Sequence, residues 1–261
     1  MIHNNKEMIN TLNKLKSEFN IIGIKSSFED EGVYFNELIK LKELCTITNL
    51  DLNIKIGGCE AISDINNCVS LNVNGIVAPM IESEFALSKF IDAARDNLPG
   101  ILFKKFNFHV NLETRSAYEN IKSILSDKSN YKYLTGIVVG RSDMAKSYNL
   151  NKSNVDDIEL YQIAQDIFKE AKKYKLLTTM GGSVSYKSEK FIKRLYSQNI
   201  LDRIETRNII FDLNEKVMSN LDVALNLALS FESLWLRSKS SYYMNISNSY
   251  LDRANIINER K

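Results

Sequence analysis

The feature that most constrains this chain is its rhythm. Short apolar runs rich in β-branched residues alternate with longer segments whose apolar residues recur at three and four. Strands of that kind are covered on both faces by helices, which is the pattern of a parallel sheet. The runs read as strands are residues 21–27, 52–57, 75–81, 106–113, 136–140, 176–181 and 203–212. Between them, residues 35–48, 83–96, 116–126, 155–174 and 188–198 read as helices.

Seven strands are clear, and a closed eight-stranded barrel needs one more, expected in the N-terminal segment or around residues 100–105. Polar residues collect at nearly every strand end: 25–31, 55–58, Glu82, Glu113, 141–143, 181–185, and Glu205 with Arg207. An open doubly wound sheet would gather them at one switch point instead. The reading is therefore a single TIM-type (β/α)8 barrel over residues 1–239, with its site at the carboxyl ends of the strands. A C-terminal helical extension follows. Residues 213–239 predict a long amphipathic helix with Leu221, Ala224, Leu225, Ala228, Leu229 and Leu236 on its buried side. Residues 240–261 form a polar tail with scattered tyrosines and isoleucines, suited to a neighbouring subunit or to a solvated helix.

Charge and composition narrow the partners. With 34 basic and 32 acidic residues the net charge is +2, so no strong field gathers nucleic acid or anionic lipid, and neither is expected. No apolar run reaches the roughly 18 residues of a membrane span, and the N-terminus lacks the apolar block of a signal peptide. A cytoplasmic protein is expected. Cys45, Cys59 and Cys68 are odd in number and lack metal-ligand spacing, so they read as packed thiols of a reducing compartment.

The chemistry starts at His109-Val-Asn-Leu-Glu-Thr-Arg115. Alternation puts His109, Asn111 and Glu113 on one face, which in a barrel is the interior or the mouth. His109 reads as a satisfied interior group. The next strand ends Gly140-Arg-Ser-Asp143, which sets a second carboxylate beside the first. Two carboxylates from adjacent strand ends, completed by substrate oxygens and water, suit Mg²⁺ or Mn²⁺. Such an ion could hold a 2-oxo acid and stabilise its enolate. The alternative is a salt-bridge network with Arg115, Arg141 or Lys55.

Four stretches resemble one known family. Asn111-Leu-Glu-Thr-Arg-Ser-Ala-Tyr-Glu-Asn-Ile and Thr135-Gly-Ile-Val-Val-Gly-Arg-Ser-Asp-Met are similar to the I-E-T-x-x-A-x-x-N and G-x-x-D-L stretches of the HpcH/HpaI aldolase and citrate lyase β-subunit family. Gly75-Ile-Val-Ala-Pro-Met-Ile-Glu-Ser resembles its P-M-V-E strand, and Phe28-Glu-Asp its early turn. The resemblance runs in order over about residues 20–150. It implies a (β/α)8 barrel, a divalent metal, cleavage or condensation of 2-oxo acids or acyl-CoA thioesters, and homo-oligomers built through C-terminal helices. Carried over by motif, Glu113 and Asp143 become the metal ligands.

The departures are equally specific. Many family members hold the substrate carboxylate with an arginine where this chain has Lys55, which keeps the charge and loses the bidentate fork. At the early turn, where aldolase members often have a histidine, stand Glu29, Asp30 and Glu31. Proton transfer would then use one of these carboxylates or water. Lys55 and Arg141 are expected to bind carboxylate or keto oxygens, with Lys25, Glu82, Glu205 and Arg207 extending the substrate pocket. For Arg203, Glu205 and Arg207, which share a face, a structural ion pair closing the barrel is the competing reading.

The leading functional reading is a metal-dependent carbon–carbon lyase or aldolase acting on a small 2-oxo acid. Two others stay open. A Schiff-base aldolase would use Lys55 and no metal, and a barrel without catalysis would serve as a ligand-binding or assembly protein.

Overall fold

The computed structural model describes residues 2–29, 32–151 and 155–260, with side chains described from residue 5 onward. Asp30 and Glu31, two of the three acidic candidates at the early turn, lie outside the described residues.

Eight strands close in chain order into a barrel: β1 (Ile21–Ser27), β2 (Asp51–Lys55), β3 (Gly75–Ala78), β4 (Asn107–Asn111), β5 (Gly136–Gly140), β6 (Leu177–Gly181), β7 (Arg203–Glu205) and β8 (Ile209–Asp212). Neighbours from β1 to β7 pair in parallel. The last strand runs the other way, antiparallel to both β7 and β1.

That reversal corrects the sequence reading of residues 203–212. The run is two strands of a hairpin, with Arg203 opposite Asp212 and Glu205 opposite Ile210. Thr206 closes the turn: its N–H donates to Ile209 O at 2.9 Å and its Oγ1 accepts from Ile209 N–H at 3.2 Å. The eighth strand is therefore the second half of the seventh run. The N-terminal segment is instead the helix Ile2–Phe19, and Gly100–Phe103 is a single helical turn.

Alternation along the strands sorts apolar from polar side chains. Phe108 and Val110 of β4, and Leu112 just beyond it, point outward into the core between barrel and helices. There Phe108 meets the rings of Phe90, Phe103 and Phe106 at centroid distances of 5.9, 5.0 and 6.3 Å. The polar partners of that alternation fall inside the barrel.

The chain leaves β8 through the short helix Glu215–Ser219 into one of 38 residues, Leu221–Asn258, which runs without a break through residues 239 and 240. Its buried residues are Leu221, Ala224, Leu225, Ala228, Phe231 and Trp235. Leu229 and Leu236, expected on that face, are 37% and 58% exposed, because the helical period carries the stripe to Phe231 and Trp235. Where residues 240–261 begin, the helix rests on Phe35–Thr48: Tyr243 Oη donates to Glu37 Oε1 at 2.8 Å, and Lys40 lies over the Tyr242 ring at 3.5 Å. Among the described residues no helix is long and apolar enough to cross a membrane.

Candidate active site

The carboxyl ends of β1, β2, β4, β5, β6 and β7 surround a cavity of about 490 Å³, a volume typical of small-molecule sites. Lys25, Lys55, Glu113, Asp143, Glu205 and Arg207 all line it. The first five sit on or just beyond strand ends, and Arg207 sits on the β7–β8 turn.

Glu113 is the most enclosed of them, 1% exposed. Its Oε2 accepts from Asn111 Nδ2 at 2.8 Å and its Oε1 from the Met80 N–H at 3.3 Å. Burial pushes its carboxyl above the usual glutamate range; Lys55 and the two hydrogen bonds pull it back, while Asp143 adds to the rise. Gly140 makes this placement possible. A Cβ there would lie 2.4 Å from Glu113 Oε2, so the carboxylate rests against β5 only because that residue has no side chain.

Lys55 is buried, with Nζ 2.7 Å from Glu29 Oε2 and 3.4 Å from Glu113 Oε1. Lys25 is ion-paired with Glu205. The pocket thus sets Lys25 and Lys55, from β1 and β2, against Glu113, Asp143 and Glu205, from the ends of β4, β5 and β7, with Asp143 half-buried one residue past Ser142.

A divalent ion suits this donor set. Glu113 and Asp143 offer carboxylate oxygens, and Asn111 Oδ1 is buried at the same wall with no hydrogen-bond partner among the described residues. An orphaned buried carbonyl calls for a partner, and oxygen-only ligands favour Mg²⁺ or Mn²⁺. Among the described residues no three His, Cys, Asp or Glu side chains gather into a metal-binding group. The protein would supply two carboxylates and the Asn111 carbonyl, and substrate and water the remaining oxygens.

Three expected residues are not on the cavity wall: Glu29, which contacts Lys55, and Arg141 and Glu82. Arg141 is 1% exposed and held by the protein itself. It is ion-paired with Asp156, donates to Gly182 O at 2.9 Å and to Gly181 O at 3.2 Å, and lies 4.9 Å from the Phe191 ring centroid. Strand alternation explains this correction. Gly140 faces the interior, so its neighbour Arg141 faces the helices. Glu82 also lies off the cavity wall, where it accepts from Thr114 Oγ1 at 2.5 Å. His109 is buried as expected, but its Nδ1 has no hydrogen-bond partner among the described residues, so it is not the satisfied interior group that was anticipated.

Thr206, Leu229 and Glu232 were not read from the sequence as part of the site, whereas Ser142 and Ser183 fall within the polar strand ends 141–143 and 181–185. Ser142 and Ser183 meet Oγ to Oγ at 2.9 Å. Leu229 and Glu232 come from the long C-terminal helix, where Glu232 Oε1 accepts the Asn208 N–H at 3.2 Å. Their spacing of three marks one helix face, but nothing local showed that this face meets the mouth. The thiols play no part in the cavity. Burial pushes Cys45 up to about 12 and raises Cys68 as well.

No protein-family model and no curated protein matches the sequence. Solved structures do match in shape. An HpcH/HpaI aldolase from Desulfitobacterium hafniense DCB-2 superposes with a TM-score of 0.59 at 10% identity, over 74% of this chain and 88% of that one. Citrate synthase SbnG gives a TM-score of 0.59 at 13% identity, over 85% and 98%. An HpcH/HpaI aldolase/citrate lyase family protein from Burkholderia cenocepacia J2315 gives 0.57 at 10% identity, over 86% and 97%. At such identities the likeness is one of architecture, and the chain carries the barrel fold of the HpcH/HpaI aldolase and citrate lyase structures.

Proposed function

We propose that the protein is a divalent-metal-dependent carbon–carbon lyase or aldolase acting on a 2-oxo acid, or a related enolisable acid, through an enolate. The observation that carries this reading is the meeting of Glu113 and Asp143, from neighbouring strands, in one cavity with Lys25, Lys55 and Arg207. The fold shared with HpcH/HpaI aldolase and citrate synthase structures supports it.

Glu113, Asp143 and Asn111 would hold the ion, which when bound supplies a Lewis acid to the carboxylate and keto oxygens of the substrate. Lys55 fixes the Glu113 carboxylate and presents an ammonium N–H to a substrate oxygen. Lys25 and Arg207 set further cationic donors along the same wall, suited to a carboxylate. Glu29, which touches Lys55, is the described early-turn carboxylate placed to move a proton. Lys55 stands between two carboxylates, the setting of a charge partner rather than of a free nucleophile, so borohydride with pyruvate should leave no adduct in the intact mass.

The test is oxaloacetate decarboxylation and pyruvate aldol addition with Mg²⁺ or Mn²⁺. Turnover should vanish with EDTA and in Glu113→Gln. Activity that survives both would remove the metal assignment.

A further inference from the structure

Beneath the mouth the barrel encloses a second cavity, about 210 Å³, walled by residues from all eight strands. Barrel interiors of this kind are ordinarily filled by branched apolar side chains. Here Asn53, Asn107, His109, Thr179 and Arg203 line the space. The volume equals about seven waters at ~30 Å³ each, room for a molecule of a few heavy atoms.

The chamber has its own entrance. Asp51, Asn107, Leu177 and Arg203 are the first residues of β2, β4, β6 and β7, and all are half-buried. It therefore opens at the amino-terminal end of the barrel, opposite the mouth. Its Asn53 amide rests against Gly75, where a Cβ would lie 2.1 Å from Asn53 Oδ1.

Its polar groups are not engaged with one another. Among the described residues the side chains of Asn53, Asn107 and Thr179 form no hydrogen bond, and His109 Nδ1 is a buried nitrogen without a partner. His109 is buried, and its imidazole carries one donor and one acceptor. Among the described residues Arg203 spends only its Nε, on Asp212 Oδ1 at 3.3 Å. Two acids also stand on the chamber wall. Glu205, at the roof, is paired with Lys25 above. Burial raises the Asp51 carboxyl at the rim, while Lys42 and Arg203 act in the opposite sense. Beside these acids and the apolar Ile22, Val77, Val138, Leu177 and Ile210, the wall carries the Arg203 guanidinium, ion-paired through Nε with Asp212, and the donors of two amides, an imidazole and a hydroxyl, groups that recognise a carboxylate.

We propose that this lower chamber binds a small monocarboxylate, of the formate or acetate class, that enters from the amino-terminal face and is gripped by Arg203 with Asn53, Asn107, His109 and Thr179 as hydrogen-bond partners. The site is independent of the mouth chemistry, although Glu205 is a wall of both cavities.

The chain has two histidines, so its imidazole resonances are readily assigned with a His109→Gln control. The whole protein is titrated with sodium formate and sodium acetate, against sodium chloride at matched ionic strength, while the His109 resonances and Tm are followed. A saturable His109 shift with a rise in Tm is expected for the carboxylates. Affinity should fall at least tenfold in both Arg203→Gln and Thr179→Val, and stay unchanged in Glu113→Gln. No saturation in the wild type, an equal response to chloride, or full affinity in Thr179→Val and Arg203→Gln alike would overturn the proposal. Thr179→Val, nearly isosteric, carries the test should Arg203→Gln fail to fold.

Discussion

Lys55 Nζ lies 3.4 Å from Glu113 Oε1, and the contact joins the end of β2 to the residue two past β4 across the mouth of the barrel. Both side chains are buried. A buried ion pair is costly to break from one side, because the survivor keeps its charge without a partner.

Lys55→Met should therefore destabilise the fold by about 3–5 kcal/mol at neutral pH, and Lys55→Met/Glu113→Gln should recover most of that loss. Urea denaturation of the four proteins of this cycle measures the coupling. Additive single-site effects would mean that the two groups do not interact.

Gly140→Ala should displace the Glu113 carboxylate, because the added methyl falls 2.4 Å from Oε2. Overpacking of this kind costs about 1–3 kcal/mol. Calorimetric titration with Mn²⁺ should show weaker binding by at least about tenfold, the lower bound for disturbing a ligand's support.

Arg141→Met should lower stability by about 3–5 kcal/mol by leaving Asp156 and two strand-end carbonyls without their donor. If the side chain serves only the fold, the KM for a 2-oxo acid stays at the wild-type value in the folded fraction. A KM that rises tenfold or more would return Arg141 to the substrate.

His109 makes stability fall in acid. Above its ordinary value of 6.5 both folded and unfolded chains hold it neutral; between 6.5 and about 3 only the unfolded chain takes up the proton. Unfolding then becomes easier by as much as about 1.4 kcal/mol for each unit the pH drops. Denaturation curves of the wild type and His109→Gln should converge in slope above that window and diverge within it.

Much of the barrel was visible in the sequence because its strands announce themselves. Ile21–Ser27 and Gly136–Gly140 are bounded as read, and the alternation of His109, Asn111 and Glu113 set the interior face of β4. What escaped depended on direction rather than on pattern. Arg207-Asn208 contains no glycine to signal a hairpin, so nothing local revealed that the chain turns back between Glu205 and Ile209. The same limit hid Arg141. A charged residue after a strand reads as a rim group, and only the register that turns Gly140 inward shows that its neighbour turns away. Glu232 was out of reach for a longer-range reason, since its place beside Asn208 follows from where the preceding strand ends.

The reversed last strand has a consequence for how this rim can vary. The link from β7 to β8 is only three residues long, so that sector of the mouth has no loop able to lengthen or swing. Its wall is the flank of a continuous helix about 57 Å long at 1.5 Å per residue. Shape there is governed by rotational phase. One residue inserted ahead of Leu229 would turn everything beyond it by about 100° and carry Glu232 away from the cavity without altering the sequence of a single strand.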